Sequence, residues 1–340
     1  MKIAVVGAGI AGLAAAFRLA AAHEVTVFER APVAGGKIRS ERIGGFTFEW
    51  GPNGFLSGAA ELGDLVRDAG LGDELTAAAP EAAKRYVYWN GALHALPSKP
   101  PRALVMSLLS SRGKLRALGD LFARAPARDA AAAEADESVD AFARRHFGRE
   151  VAERIVAPAL LGVSGGDAAS TSVAAVFPRL VELERRHGSV IRGMARARGN
   201  GPGRLSSFGA GGLQRLTDRL AERLGERFRS RRAVLRIEPL ASGWRVHHAD
   251  APNEDRAAAE TLDADAVVIA TPAYDAARLI EEFDGELAAA LREIRYAPMR
   301  VAALAFRTQD VPSPLDGFGF LAARGQGVGI LGALYTSTIF

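Results

Sequence analysis

The chain has 340 residues, 49% hydrophobic and 24% charged, an ordinary globular composition but longer than the roughly 250–300 residues at which one hydrophobic core stops growing, so two or more lobes are expected. It contains no cysteine, which excludes disulfides, thiolate nucleophiles, cysteine-ligated zinc and iron–sulfur clusters. Forty-three basic against 39 acidic residues leave a net charge of +4, and the excess is local: between positions 99 and 128, Lys99, Arg102, Arg112, Lys114, Arg116, Arg124 and Arg128 face Asp120 alone. No apolar run approaches the roughly 18 residues of a membrane-spanning helix, and Met1 leads straight into a buried-type strand, so a soluble or surface-bound cytoplasmic protein is expected.

In chain order, Ile3 to Val6 predicts a short buried strand, Gly12 to Ala22 a helix of small residues, and Glu24 to Phe28 a second strand, the opening of a βαβ unit. Residues 46–96 mix turns with short strands such as Tyr86 to Trp89 and one helix, Ala59 to Ala69, that ends at Gly70. From about 102 to 195 the pattern is helical: Ser138 is placed to cap a helix bearing Val139, Phe142 and Ala143, and Val151, Ile155, Val156 and Leu160 recur at helical spacing. The alanine-rich run 127–135 reads as a solvated linker or frayed helix, and the Gly- and Arg-rich stretch 196–206 as an exposed loop. Gly211 and Gly212 then precede a helix from Gln214 to Leu224, and strands follow near Ala233–Ile237 and Trp244–His248. Asp265 to Ala270 is a strand that Thr271 and Pro272 end before a helix at Ala273–Ile280; Val301–Phe306 and Ile330–Tyr335 read as the last strands. The six histidines lack metal-ligand spacing and no nucleophile-elbow serine is present, so neither a metal centre nor a hydrolytic triad is expected.

Gly7-Ala-Gly9-Ile-Ala-Gly12 matches the dinucleotide fingerprint, whose glycines permit a tight turn, close approach of backbone to pyrophosphate, and helix-to-strand packing. Spacing alone is weak support in so glycine-rich a chain: Gly327-Val-Gly329-Ile-Leu-Gly332 has the same spacing with no helix pattern after it. Context separates the two. The first copy has a strand before it, a helix after it, and Glu29 ending the next strand, where a carboxylate can accept hydrogen bonds from ribose hydroxyls while the helix N-terminus faces the diphosphate. These four residues leave FAD and NAD both open.

Glu29-Arg30, then Gly35-Gly36-Lys37-Ile38-Arg39, then Phe48-Glu49-Trp50-Gly51-Pro52-Asn53 resemble the opening of the FAD-dependent amine oxidase and protoporphyrinogen oxidase superfamily. The segments Arg85–Pro97, Ser138–Gly148, Ala157–Gly166 and Gly317–Leu321, with Ile330-Leu-Gly332, are similar to protoporphyrinogen oxidases in particular and keep their order along the whole chain. The resemblance implies an α/β architecture: an FAD-binding Rossmann-like domain (1–84 and 205–280), a β-sheet substrate domain (85–98 and 281–340), and an inserted helical membrane-docking lobe (99–204). It implies that FAD is held by Gly7, Gly9, Gly12, Glu29, Arg30, Gly35, Gly36, Lys37, Gly51 and Pro52, with the backbone of Val234 on the adenine side.

For the substrate, the resemblance implies a porphyrinogen whose propionate pairs with Arg85, whose rings lie against Phe318 and Leu321, with Gly162 beside the macrocycle and Asn53 near the flavin. Guanidinium geometry suits a carboxylate; without the resemblance, Arg85 reads as a surface ion pair, and Phe318 and Leu321 as strand core. The implied reaction, in haem biosynthesis, is repeated hydride loss from a bridging methylene to FAD with O2 as final acceptor, and no side-chain acid or base is assigned. Protoporphyrinogen IX is the favoured substrate, with coproporphyrinogen III as the alternative. Leu104, Val105, Met106, Leu108 and Leu109, interleaved with the cations, suit either an interfacial helix on anionic lipid or the lobe's own core. No nucleic-acid partner is expected, and a homodimer is left open. Relatives of this kind continue past the point equivalent to Phe340, which leads us to expect a C-terminally shortened chain that retains FAD weakly and turns over poorly or not at all, with the strand Ile330–Tyr335 lacking a ladder partner.

Overall fold

Ile3, Ala4, Val5 and Val6 are all buried, as four apolar residues without polar alternation must be in a strand covered on both faces. In the computed structural model, which describes residues 1–97, 106–124, 136–197, 203–251, 259–311 and 315–340, the strand Lys2–Val6 is central in a parallel four-stranded sheet. Glu24–Phe28 flanks it on one side and Ala266–Ile269 on the other, with Phe228–Arg229 outermost. The expected α/β opening is present. The first helix runs Ile10–Leu19, starting two residues before its expected position, because the chain turns at Gly7 to Gly9 and winds at once.

The chain divides into two compact units, Met1–Ala77 with Pro202–Tyr296 and Arg300–Phe306, and Ala78–Gly201 with Ala297–Met299 and Arg307–Phe340. In the first unit, the helices Ile10–Leu19, Ala60–Asp68 and Gln214–Leu224 close one core through Leu13, Leu65, Leu216 and Leu220. An antiparallel sheet of Arg232–Pro239, Trp244–Asp250 and Glu260–Ala264 packs through Val246 and Ala264 against Ala4 and Phe28. The hairpin Ser40–Ile43 with Phe46–Glu49 projects from the same unit, Ser40 paired with Glu49 at its base.

The second unit carries a mixed sheet ordered Gly332–Leu334, Gly319–Ala322, Arg85–Trp89, Ala92–Leu96. Serines cap two of its helices: Ser138 Oγ, as expected, accepts the Ala141 N–H at 3.2 Å before Val139–Phe147, and Ser110 Oγ accepts the Gly113 N–H at 3.0 Å before Ser111–Leu118. The stretch Ala152–Val156 is π-helical and continues into Ala157–Ser164, which ends at a left-handed Gly165.

Three expectations are corrected. Val301–Phe306 is not a strand: Val301, Leu304 and Phe306 are exposed and no described segment pairs with them, and β propensity without a ladder partner does not make a strand. The strand expected at Ile330–Tyr335 shortens to Gly332–Leu334 and does have a partner, pairing antiparallel with Gly319–Ala322. Met106, Leu108 and Leu109 form no interfacial helix; they are buried with Val87 and Ala323 in the second unit's core, where their apolar area is removed from water. Leu104, Val105, Lys99, Arg102, Arg128, the run 127–135 and residues 198–202 of the expected loop lie outside the described residues; the end of that loop, Leu205 and Ser206, belongs instead to the short strand Leu205–Ser207.

Candidate functional site

The three fingerprint glycines do three different things. Gly7 has φ +98°, which only glycine adopts freely, and its N–H donates to the Phe28 carbonyl at 2.8 Å, locking the turn to the next strand. A Cβ on Gly12 would lie 2.0 Å from the Gly7 carbonyl oxygen, so helix and turn touch there. Gly9 meets the opposite condition: nothing lies within 4 Å of where its Cβ would be. The open side of Gly9 stands at the N-cap of the helix Ile10–Leu19, which has no side-chain cap and no acid in its first turn. Its first amides therefore lack intrahelical partners and face an open cradle suited to a diphosphate.

Other residues close on that cradle. The Gly35 N–H donates to the Ala8 carbonyl at 2.8 Å, and a Cβ on Gly36 (φ +60°) would sit 3.2 Å from Gly9 Cα. Gly51 is pressed against the Lys37 carbonyl, 1.9 Å from a hypothetical Cβ, so the segments carrying Lys37 and Pro52 run in contact. Lys37, Arg30 and Pro52 are exposed; Asn53 donates to the Gly51 carbonyl at 3.5 Å. The Glu29 carboxylate is held by two backbone amides, accepting from Ala8 at 2.7 Å and Ala31 at 2.9 Å. The backbone of Glu29 is tied on both sides to the turn before Val234, donating to the Arg229 carbonyl at 3.0 Å and accepting from the Arg232 N–H at 2.8 Å. Val234 sits at a bulge opposite His248, whose ring stacks on Phe28 at 4.6 Å. Every expected dinucleotide residue thus falls in one unit around one helix N-terminus, and the glycine cradle and oriented carboxylate fit FAD.

The sequence reading missed two contributors. Thr271, read only as a strand breaker, places its Cγ2 3.1 Å from the Cβ position of Gly7, and its buried hydroxyl has no hydrogen-bond partner. Glu49, Ser40 and Gln214 form a hydrogen-bonded group beneath the Lys37 and Gly51 segments. These pairings are 174 positions apart for Ser40 and Gln214, and no local pattern announces them.

In the second unit the structure joins the expected substrate residues in two pairs. Arg85 opens the strand Arg85–Trp89, is exposed, has no ion-pair partner among the described residues, and places its guanidinium 5.2 Å from the Phe318 ring centre. Its neighbour Lys84 is engaged, 2.6 Å from Asp316, which also accepts the Tyr86 hydroxyl at 2.8 Å. Gly162, in the last turn of Ala157–Ser164, faces Leu321: a Cβ there would be 2.4 Å from the leucine Cδ2. Among the described residues no group of three metal-ligating side chains occurs.

A family profile described as flavin containing amine oxidoreductase matches residues 10–340, and the chain belongs to that family, an FAD-dependent oxidoreductase by class. Within it, the chain is 31% identical over 368 residues to the mitochondrial protoporphyrinogen oxidase of Nicotiana tabacum, covering 100% of this chain and 72% of that protein. It is 33% identical over 364 residues to the chloroplastic protoporphyrinogen oxidase of Oryza sativa subsp. japonica, covering 99% and 66%, and 29% identical to the coproporphyrinogen III oxidase of Bacillus subtilis (strain 168), covering 98% and 73%. A crystal structure from Exiguobacterium sp. 255-15, provisionally named a protoporphyrinogen oxidase, shares the fold with a TM-score of 0.75 at 23% identity, covering 100% of this chain and 73% of that one. The chain thus spans 66 to 73% of the length of these proteins.

Proposed function

We propose that this chain oxidises a porphyrinogen, with protoporphyrinogen IX as substrate and O2 as the final electron acceptor, releasing H2O2, in haem biosynthesis. The observation that carries the reading is the exposed Arg85 guanidinium, without an ion-pair partner among the described residues and lying against Phe318: a cation for a propionate beside an apolar surface for a ring. Bound FAD would supply a two-electron acceptor that O2 restores, so that repeated hydride loss from bridge carbons conjugates the macrocycle. The first unit holds the dinucleotide by the Gly7–Gly12 turn, Glu29 and the Gly35–Lys37 segment. The second orients the macrocycle through Arg85, Phe318, Leu321 and Gly162. No side chain is assigned a proton, because pyrrole N–H protons can leave to water as conjugation proceeds.

The Bacillus subtilis relative motivates a second reading, coproporphyrinogen III, whose four carboxylates demand more cations. Lys84 beside Arg85 is already paired with Asp316, which favours the substrate with fewer propionates. Aerobic incubation with each porphyrinogen, followed by porphyrin fluorescence, tests the proposal. Faster oxidation of protoporphyrinogen is expected, with Arg85→Ala raising KM by about tenfold or more. Faster turnover of coproporphyrinogen would favour the second reading, and oxidation of neither would reject both.

A further inference from the structure

Lys37 and Gly51 lie beyond the two ends of one hairpin, and a single carboxylate fastens its base. Glu49 Oε1 accepts the Leu213 N–H at 2.7 Å and Oε2 accepts the Ser40 hydroxyl at 2.6 Å. Ser40 Oγ in turn accepts the Gln214 N–H at 3.0 Å, while the Ser40 N–H donates to Gln214 Oε1 at 2.9 Å. Leu213 and Gln214 open the helix Gln214–Leu224, whose Leu216 and Leu220 share a core with Leu13 of the fingerprint helix. The same helix backs the double glycine: Thr217 Oγ1 lies 3.1 Å from the Cβ position of Gly35. Gly212 is confined as well, since a Cβ at its φ of +62° would stand 2.4 Å from Ser40 Oγ and 2.7 Å from Glu49 Oε1. Above Glu49, the Trp50 N–H donates to the Arg39 carbonyl at 2.8 Å, and Gly51 meets the Lys37 carbonyl.

We infer that Glu49 is a positioning residue for FAD: it fixes the hairpin to the helix Gln214–Leu224 and so sets where Lys37 and Gly51 stand relative to the open side of Gly9. The inference rests on the FAD assignment and goes beyond it, since Glu49 faces Ser40 and Leu213 rather than the cradle. Burial holds the Glu49 carboxyl above its ordinary value, against the hydrogen bonds from Ser40 and Leu213 that pull it down. Burial thus makes the carboxylate costly, a cost offset by the hydrogen bonds that tie the hairpin to the helix.

The test uses the full chain stripped of flavin, titrated with FAD by quenching of flavin fluorescence, alongside the thermal midpoint of the apoprotein. Glu49→Leu leaves the Leu213 N–H and the Ser40 hydroxyl without their acceptor and lowers the apoprotein midpoint, and it is expected to weaken FAD binding by about tenfold or more, beyond what that fall accounts for, and to change the band structure of bound flavin. Glu49→Gln, which keeps an acceptor for the Leu213 N–H, recovers most of the affinity. Ser40→Ala removes one link and weakens FAD by a smaller factor; it serves if Glu49→Leu fails to fold. Wild-type affinity in Glu49→Leu or, failing that, in Ser40→Ala overturns the inference, as does a loss of affinity that only parallels a fall in the apoprotein midpoint without rescue by glutamine. A wild-type chain that takes up no FAD would overturn the cofactor assignment and this inference together.

Discussion

Gly9 and Gly12 are three positions apart in one motif, yet a methyl group added at each should have opposite consequences. At Gly12 the new Cβ meets the backbone carbonyl of Gly7 at 2.0 Å, which no rotamer relieves, so Gly12→Ala should destabilise the chain by about 1–3 kcal/mol and lose FAD as a result. At Gly9 the Cβ enters open space, so Gly9→Ala should keep the melting temperature while weakening FAD, because the methyl occupies the diphosphate's path. Thermal melts and FAD titrations of the two variants separate packing from ligand contact, and equal melting losses would refute the distinction. The spacing of these glycines is written in the sequence. Which of them has open space beside it follows from the positions of Ala270, Thr271 and Gly36, remote in sequence, so the structure had to decide it.

Among the helices of the second unit, the one expected capping serine, Ser138, occurs where foreseen, while the group that ties the helices together was not foreseen. His146, in the last turn of Val139–Phe147, is buried; its Nδ1 bonds to the Asp120 carboxylate and its Nε2 lies 3.1 Å from Glu184. Asp120 also accepts from the Ser189 hydroxyl and the Ile191 N–H, each at 2.8 Å, and Glu184 is paired with Arg145, itself bound to Glu137. Burial opposes a charged imidazole here, but the two carboxylates outweigh it and hold His146 above its ordinary value. Burial likewise opposes the ionised Glu184, but His146 and Arg145 draw it down to about 2. The stabilisation from His146 is complete below the ordinary imidazole value and is lost as pH rises through the raised one. That from Glu184 is present above the ordinary carboxylate range and is lost as pH falls toward about 2. Melting temperature should therefore fall as pH rises above the ordinary imidazole value and again in acid. His146→Ala, which leaves two buried carboxylates short of a cation, should cost about 3–5 kcal/mol and flatten the high-pH limb in a pH series of thermal melts.

For the whole molecule, the sequence carries a basic excess between 99 and 128. We propose that the helical part of the second unit meets an anionic lipid surface at the cytoplasmic membrane face: Leu115 (72% exposed) and Phe122 (84% exposed) project beside the exposed Arg112 and Arg124. Among the described residues no helix is long and apolar enough to cross a membrane. Flotation with anionic vesicles at low salt should carry the protein upward and Phe122→Glu should reduce that, whereas a protein that stays at the bottom would refute the docking. The sequence by itself determined the parallel opening, the family and its FAD cofactor, because these rest on short-range rules: a strand, a glycine turn, a helix start, a carboxylate a fixed distance on. Only the tertiary structure decided that Val301–Phe306 has no ladder partner among the described residues, that Met106, Leu108 and Leu109 are core, that Lys84 is paired with Asp316 while Arg85 has no ion-pair partner among the described residues, and that Glu49 reaches the helix at Gln214. Pairing, burial and charge neutralisation depend on which distant segments arrive at the same place, and residue type and spacing do not encode that in any window of the chain.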